Sequence, residues 1–202
     1  MIAVIDYGVG NIFSLVSALE NIGARSVVTS DKDIISNADK IILPGVGAFG
    51  DAMDRLSESG LKDLLVSLAK GGKPFLGICL GMQLLFDSST EYGYKKGLGL
   101  LKGEVTELKK VVPKGYSVPQ MGWNSLRFEK DDPIFKYIKD GDYVYYVHSY
   151  YAGDVPSRIA YSDYGVNVSG VVRDGNVCGM QFHPEKSGEV GLNLLRAWCE
   201  EA

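Results

Sequence analysis

The first half of the chain alternates short apolar runs with longer segments in which apolar residues recur at helical spacing. The apolar runs predict strands at residues 2–6, 26–29, 40–43 and 73–76. The periodic segments predict helices at residues 11–22, from just after Gly47 to about Ser59, and at residues 61–70. Buried strands that alternate with amphipathic helices predict a mostly parallel sheet covered on both faces.

After about residue 97 the helical periodicity fades, and segments typical of strands follow one another. We predict strands at residues 98–108, 120–128, 143–150, 158–162, 166–173 and 177–182, and a last helix that begins at Ser187. The predicted fold class is therefore α/β and flavodoxin-like: an open, mostly parallel sheet with helices on both faces and antiparallel strands added in the C-terminal half. Because no repeat or linker interrupts the pattern, we expect a single domain over residues 1–202.

Composition excludes several classes of protein. The 202 residues are 46% hydrophobic and 23% charged, which is ordinary for a globular protein. The net charge of −4 argues against a nucleic-acid-binding surface, and no apolar run approaches the roughly 20 residues needed to span a bilayer. The N-terminus lacks the basic start of a secretory signal, and the three cysteines have no disulfide or zinc spacing. We therefore expect a cytoplasmic protein without a metal or cofactor, and with neither nucleic acid nor membrane as a partner.

The stretch Gly77-Ile78-Cys79-Leu80-Gly81 places a cysteine between a predicted buried strand and a helix predicted to begin with residues 82–86. This is the pattern of a nucleophile elbow, with sulfur in place of the serine hydroxyl. The glycines allow strand and helix to approach closely, and a helix N-terminus stabilises negative charge on the sulfur. The N–H of Leu80 is then placed to bind an oxyanion. A buried structural cysteine is an equally good interpretation of this pentapeptide alone.

The segment Gln181-Phe182-His183-Pro184-Glu185 supplies a second candidate group. Residues two apart in an extended chain point to the same side, so we expect His183 and Glu185 to share a face. A carboxylate beside an imidazole fixes its tautomer and stabilises the imidazolium. A solvated loop histidine explains this segment taken by itself. However, the only other histidine is His148, so a cysteine nucleophile has only two candidate bases.

A glycine-rich turn, Pro44-Gly45-Val46-Gly47, follows the third predicted strand. Turns at the carboxyl ends of parallel strands aim backbone N–H groups at anions and border the sites of α/β proteins. An N–H of Val46 or Gly47 is therefore a candidate oxyanion donor, although a purely structural turn has the same sequence. The run at residues 8–10 does not predict a dinucleotide site, because Phe13 stands where a third glycine is needed.

Together these motifs resemble those of the class I, or triad, glutamine amidotransferases, and the similarity covers nearly the whole chain. It includes residues 4–11, the turn at 44–47, the elbow at 77–85, and the segments at 121–124, 147–150 and 181–187. The turn and the Met-Gly-Trp-Asn segment narrow the similarity to members that serve histidine biosynthesis. The chain departs from that pattern at Gln120, where a histidine is expected, and at Phe13, where a basic residue is common.

The resemblance implies an activity and a set of site residues. Cys79 is expected to attack the side-chain amide of L-glutamine, His183 to carry the proton to the departing ammonia, and Glu185 to orient His183. The expected oxyanion donors are Val46, Gly47 and Leu80. The expected lining of the glutamine pocket is Gln83, Glu91, His148, Ser149 and Tyr150.

The resemblance also implies a partner, because ammonia released into neutral water becomes ammonium and is lost as a nucleophile. The partner in this family is a (β/α)8-barrel cyclase that uses the ammonia to form imidazole glycerol phosphate. We expect a heterodimer whose interface includes Met121, Trp123, Asn124 and Lys186.

Three other interpretations remain open at this point. A related glutaminase that feeds another synthase, such as a sugar amidotransferase, has the same chemistry and is identified by the partner with which it copurifies. A flavodoxin-like binding module has an inert cysteine, so a glutamine-mimicking chloroketone leaves Cys79 unlabelled. A cysteine peptidase or other hydrolase uses the same thiol to cleave peptides or esters.

Overall fold

A computed structural model describes residues 1–201, and in its first half strands alternate with helices. In chain order these elements are β1 (Ile2–Ile5), α1 (Ile12–Asn21), β2 (Ser26–Thr29), α2 (Lys32–Asn37), β3 (Lys40–Leu43), α3 (Phe49–Glu58), α4 (Lys62–Lys70), β4 (Phe75–Ile78) and α5 (Leu80–Leu84). The second half contains β5 (Phe86–Ser89), β6 (Lys95–Lys96), β7 (Leu101–Glu107), β8 (Gln120–Ser125), β9 (Arg127–Phe128), β10 (Tyr143–His148), β11 (Tyr150–Ala152), β12 (Arg158–Asp163), β13 (Asn167–Asp174), β14 (Val177–Met180) and α6 (Gly188–Glu201).

The central sheet has eight strands in the order β2-β1-β3-β4-β14-β13-β12-β9. The strands from β2 to β14 are parallel, and β13, β12 and β9 are each antiparallel to the strand before them in this order. The prediction of a mostly parallel α/β sheet with antiparallel additions is thus confirmed. Since β3, β4 and β14 are adjacent and parallel, the segments that follow them emerge side by side at one edge of the sheet.

Apolar side chains pack against both faces of this sheet. Val4 of β1 packs in one core with residues of α1 and α6, whereas Ile5 packs in the other core with residues of α3 and α4. Both side chains are fully buried. Because successive residues of a strand point to opposite faces, burial on both sides accounts for the unbroken apolar runs in the sequence.

Two smaller sheets are formed by the second half of the chain. Strands β8 and β10 form an antiparallel pair in which Gln120 lies opposite His148. Strands β11, β7, β5 and β6 form a sheet in that order, with β5 and β7 parallel. These sheets bring residues from beyond position 100 to the site described below.

Two strands predicted as continuous are each divided between sheets, so these two predictions are wrong. Residues 120–128 form β8 in the two-stranded sheet and β9 at the edge of the central sheet, with the fully buried side chain of Leu126 between them. Residues 143–150 form β10 and the start of β11. Here the ring of His148 lies 2.8 Å from the carbonyl oxygen of Tyr150, across the bend at Ser149. In both places the strand before the break and the strand after it pair with different sheets.

The helix predicted after Cys79 is also shorter than expected. It ends at Leu84, and the next residues form β5, for which no strand is predicted. Phe86 is fully buried and pairs with Leu101 of β7. An apolar run as short as residues 82–86 suits either a helix or a strand, and here tertiary packing decides.

Smaller corrections concern boundaries and one further helix. The strands predicted at 98–108 and 177–182 are shorter, and correspond to β7 and β14. Helix α2 lies where no element is predicted. Its start is marked by Asp31, whose side chain accepts hydrogen bonds from the N–H groups of Asp33 and Ile34. Within residues 1–201, no helix is long and apolar enough to cross a membrane.

The close packing at the elbow leads to a stability prediction. A Cβ on Gly81 would lie 1.8 Å from the carbonyl oxygen of Leu43, so Gly81→Ala forces two backbones apart. We expect a loss of at least about 3 kcal/mol in the free energy of unfolding, measured by urea titration. The control is Gly50→Ala in α3, where the new Cβ meets only the flexible Lys95 side chain at 3.4 Å and stability stays within about 1 kcal/mol of wild type. Equal stability of the two variants would contradict the packing described here.

Candidate active site

Cys79 occupies a strained turn between β4 and α5. Its φ of +53° is rare for a residue with a side chain. The turn is held by a 2.7 Å hydrogen bond from Cys79 N–H to the Met180 carbonyl, and by another from Gln83 N–H to the Cys79 carbonyl. A Cβ on Gly77 would lie 2.6 Å from the Gly81 carbonyl oxygen, so the strand and the helix touch through their backbones. These contacts fix the position of the sulfur at the turn between β4 and α5.

A cavity of about 390 Å³ opens onto this sulfur. It contains all the predicted catalytic, oxyanion and glutamine-binding residues except Glu185, together with three others. The lining is Val46, Gly47, Cys79, Leu80, Gln83, Glu91, Pro119, Val147, His148, Ser149, Tyr150, His183 and Lys186. Residues from five well-separated parts of the chain therefore meet around one thiol.

His183 follows β14 and is fixed through its backbone. Its N–H donates to the Tyr145 carbonyl at 2.9 Å, and its carbonyl accepts from the Ser187 hydroxyl at 2.7 Å. Ring atom Nδ1 lies 2.8 Å from a Glu185 carboxylate oxygen, and both side chains are only 3% exposed. The extended geometry predicted for this pair is wrong, because residues Pro184–Lys186 form a 3₁₀ turn with proline in its first position. The contact expected from the sequence nevertheless forms.

The surroundings of His183 favour its protonated form. Burial lowers the pKa of the ring, but interactions with the Cys79 sulfur and the Glu185 carboxylate outweigh burial and raise the pKa to about 10. Atom Nε2, on the opposite side of the ring from Glu185, has no hydrogen-bond partner within residues 1–201. This nitrogen is therefore available to exchange a proton with groups in the cavity.

Gln181 is a site residue that the sequence analysis does not single out. It is fully buried, and its amide nitrogen lies 3.9 Å from the Cys79 sulfur. Its oxygen accepts from the side chain of Gln83, which also donates to the Tyr150 carbonyl at 2.8 Å. Gln181 lies two residues before His183, just as Glu185 lies two residues after it. The same spacing that predicts contact between His183 and Glu185 could therefore have indicated Gln181 as a site residue.

In the described part of the chain, two segments that line the cavity carry backbone N–H groups without an acceptor. Leu80 is the first residue of α5, so its N–H has no acceptor within the helix. The N–H groups of Val46 and Gly47 donate to no backbone or side-chain acceptor among residues 1–201. Gly47 has a φ of +94°, which suits glycine. The arrangement thus offers N–H donors from two segments for negative charge that develops next to Cys79.

His148, the second histidine in the cavity, is held neutral. Burial lowers its pKa to about 4, the carbonyl of Tyr150 opposes this, and His183 lowers it further. Because the Tyr150 carbonyl only accepts, the proton is on Nδ1, and a neutral ring then has a bare Nε2 that faces the Gln120 side-chain oxygen at 3.1 Å. Two acceptors do not pair, so we assign the Gln120 amide with its oxygen and nitrogen exchanged, which lets its N–H donate to Nε2. The exchange also gives a partner to the Gln120 amide nitrogen, which is otherwise buried without one within residues 1–201. The Tyr150 carbonyl therefore sets the tautomer of His148, and the Gln120 amide complements it.

Glu91 presents a carboxylate to the cavity and caps a helix. One of its oxygens accepts from Phe49 N–H at the start of α3, at 2.6 Å. Burial raises its pKa, the hydrogen bond from Phe49 lowers it, and Asp51 raises it slightly. A buried carboxylate that lines the cavity suits a cationic group of a small ligand.

The residues predicted to face a partner lie on and beside the outer surface of β8. Met121 and Trp123 are 64% and 55% exposed, and Trp123 packs edge-to-face on Tyr145. The side chain of Asn124 donates to the Asp163 carbonyl, so it has a structural role as well. Lys186 is exposed and borders the cavity. Within residues 1–201, no group of three or more His, Cys, Asp or Glu side chains is placed to hold a metal ion.

Taken together, the site combines a thiol, a buried imidazole supported by a carboxylate, and converging N–H donors, which is an arrangement suited to acyl transfer. The chain matches the sequence model of the family described as "Glutamine amidotransferase class-I" over residues 3–201. It belongs to this family, as its motifs predict.

Within the family the chain is similar to the protein named imidazole glycerol phosphate synthase subunit HisH. It is 54% identical to that of Bacillus cereus (strain G9842) and to that of Bacillus anthracis (strain CDC 684 / NRRL 3495). In each case the match covers 97% of this chain and 92% of the relative.

Solved structures with low sequence identity show the same fold. A crystal structure of a glutamine amidotransferase superposes with a TM-score of 0.76 at 19% identity, covering 98% of this chain and 97% of the other. The structure of PurLQS from Thermotoga maritima gives a TM-score of 0.73 at 22% identity, with the same coverage.

The lowered pKa of His148 predicts a pH dependence of stability. Unfolded, the ring takes up a proton near pH 6.5, whereas folded it does so only near pH 4. The contribution of His148 to stability is therefore complete above pH 6.5 and is lost as the pH falls towards 4. By about pH 4.5 the loss from this group reaches about 2 to 3 kcal/mol, as measured by urea unfolding.

His148→Gln should lack this part of the acid destabilisation. His183→Gln is the control and should keep it, because a ring with a raised pKa stays protonated in both states below pH 6.5. The same acid slope in His148→Gln as in wild type would contradict the neutral state of His148.

Proposed function

We propose that this chain is the glutaminase subunit of imidazole glycerol phosphate synthase, and that it splits L-glutamine into glutamate and ammonia. The observation that carries the proposal is that Cys79 and His183 line one cavity, while Glu185 is hydrogen-bonded to Nδ1 of the imidazole. The similarity to HisH subunits over 97% of the chain supports the particular synthase.

The first half of the reaction forms a thioester. The Cys79 sulfur attacks the side-chain carbonyl carbon of glutamine, and His183 holds the thiol proton on Nε2. The carbonyl oxygen becomes an oxyanion, which accepts hydrogen bonds from Leu80 N–H and from the turn at Val46 and Gly47. The C–N bond then breaks, the proton on His183 passes to the nitrogen, and ammonia leaves.

The second half regenerates the thiol. Water attacks the thioester carbon while His183 accepts a proton from it, and the same donors hold the second oxyanion. The C–S bond breaks, glutamate is released, and the proton returns from His183 to the sulfur. Glu185 accepts the hydrogen bond from His183 Nδ1 and stabilises the imidazolium that forms in each half.

The pocket chemistry suits an amino acid as substrate. We propose that the carboxylate of Glu91 binds the α-ammonium group of glutamine, since the two groups are oppositely charged and the carboxylate lines the cavity. Gln83, whose side chain is held by Tyr150 and Gln181, is proposed to contact the substrate together with Ser149 and Tyr150. Neutral His148 lines the same cavity without adding a second positive charge.

The ammonia requires an acceptor, because protonation in water removes its nucleophilic electron pair. We propose that a (β/α)8-barrel cyclase docks on the surface formed by Met121, Trp123, Asn124 and Lys186, and receives ammonia there. Lys186 directly follows the Glu185 that orients the base, so this surface is continuous with the site. The exposed ring of Trp123 supplies the apolar area that stable interfaces bury.

Glutamate release, measured with the cyclase and its nucleotide ligand present, tests the reaction. Cys79→Ala should lower the rate by at least about 10³-fold, because no other group provides the nucleophile. Cys199→Ala is the matched control and should retain wild-type activity, since this partly buried thiol lies in α6. A rate of glutamate release in Cys79→Ala equal to that of wild type would exclude the mechanism. Copurification of a synthase other than the cyclase would instead identify a related glutaminase.

The partner surface is tested by binding. Trp123→Ala should weaken the affinity for the cyclase at least about tenfold, measured by titration calorimetry, as expected for a buried aromatic anchor. Tyr94→Ala provides the control, because Tyr94 is 66% exposed but is not part of the proposed surface. The affinity of this variant for the cyclase should equal that of wild type. An unaltered affinity for Trp123→Ala would remove this face from the interface.

A further inference from the structure

Tyr7 is a buried residue close to the site, and the reaction described above does not use it. It follows β1 and is only 6% exposed. Its hydroxyl donates a 2.8 Å hydrogen bond to the carbonyl of Pro44, the first residue of the turn that precedes α3. Burial raises the pKa of this hydroxyl far above its ordinary value, and negative charge on Cys79 raises it further. The hydroxyl therefore remains a donor.

The hydroxyl is packed tightly between the turn and the elbow. A Cβ on Gly45 would lie 2.8 Å from the Tyr7 oxygen and 2.9 Å from the backbone nitrogen of Gly81. Gly81 belongs to α5, the helix that follows Cys79. Gly45 thus lies between the Tyr7 hydroxyl and the nucleophile helix, with no space for an added methyl group.

The other end of the turn is also anchored by a side chain. Phe49 N–H donates to the Glu91 carboxylate at 2.6 Å. Between Pro44 and Phe49, the N–H groups of Val46 and Gly47 have no acceptor among residues 1–201, and Val46 is 42% exposed. The turn is therefore a short segment with free donors, held at both ends by buried polar groups.

We propose that Tyr7 is a positioning residue for the oxyanion donors: its hydroxyl holds the Pro44 carbonyl and so sets the direction of the Val46 and Gly47 N–H groups. The inference rests on the proposed glutaminase function. Because a peptide unit is planar, fixing the Pro44 oxygen also fixes the Gly45 N–H. Reorientation is then confined to the next two peptide units, which carry the proposed donors.

Loss of the hydroxyl has a specific kinetic consequence. Without it the Pro44 carbonyl is buried and unpaired, and the first peptide unit of the turn gains freedom. The oxyanion exists only after attack, so a poorly directed donor weakens the transition state more than it weakens glutamine binding. The expected signature is a fall in kcat with KM unchanged. A residue needed only for packing would not produce this split.

The test is steady-state glutaminase kinetics of Tyr7→Phe in complex with the cyclase and its nucleotide ligand. We expect kcat to fall about tenfold and KM to stay within about twofold, the size of effect given by one lost hydrogen bond in the transition state. The control is Tyr146→Phe, which removes another buried hydroxyl, bonded to Ser162 at 2.8 Å. Its kcat should equal that of wild type.

Several results would overturn the proposal. These are an unchanged kcat in Tyr7→Phe, a rise in KM alone, and an equal loss of kcat in Tyr146→Phe. Failure of Tyr7→Phe to fold, seen as a lost thermal unfolding transition, would also overturn it, because the hydroxyl would then be structural. The wild-type complex separates this inference from the function on which it rests. If wild type releases no glutamate, the proposed function fails; if wild type is active and Tyr7→Phe equals it, only the role of Tyr7 fails.

Discussion

Direct backbone contact between the elbow and the end of β3 fixes the position of the sulfur. Helix α5 lies so close to that strand that even one methyl group on Gly81 would overlap the Leu43 carbonyl. This closeness brings the N-terminus of the helix next to the turn after β3, so residues of both segments line the cavity that opens onto the thiol. The arrangement requires an unfavourable positive φ at Cys79. Hydrogen bonds made by the N–H and by the carbonyl of Cys79 maintain this conformation.

The two histidines show how neighbouring groups set opposite charge states within one cavity. His183 is paired with a carboxylate, and its pKa is raised to about 10, whereas His148 has a carbonyl and an amide as partners and a pKa of about 4. A cation at His148 would lower the pKa of His183 by repulsion and so oppose its pairing with a negatively charged sulfur. The uncharged partners of His148 therefore preserve the electrostatics of the other ring.

The fold and the main site groups were predictable because their signals are local. Strand and helix periods, the glycine-flanked cysteine and the His-x-Glu spacing are all contained in short stretches of sequence. The division of residues 120–128 and 143–150 between sheets was not predictable, because Leu126 and Ser149 fit an extended pattern and only distant partners turn the chain there. Gln120, Gln181 and Tyr7 are similar cases, since each acts through a hydrogen bond to a distant segment. The sequence shows the donor but not the group that it meets.

Strand order explains how residues more than 100 positions apart converge. Strand β14, from the end of the chain, lies beside β4, and both run in the same direction as β3. Met180 is aligned with Ile78, so the chain leaves both strands at the same level, and His183 follows β14 where Cys79 follows β4. A slip of one residue in this register would move the imidazole along the strand by about 3.3 Å, which is comparable to the reach of a hydrogen bond. The alignment of these two parallel strands therefore determines whether the base can reach the nucleophile.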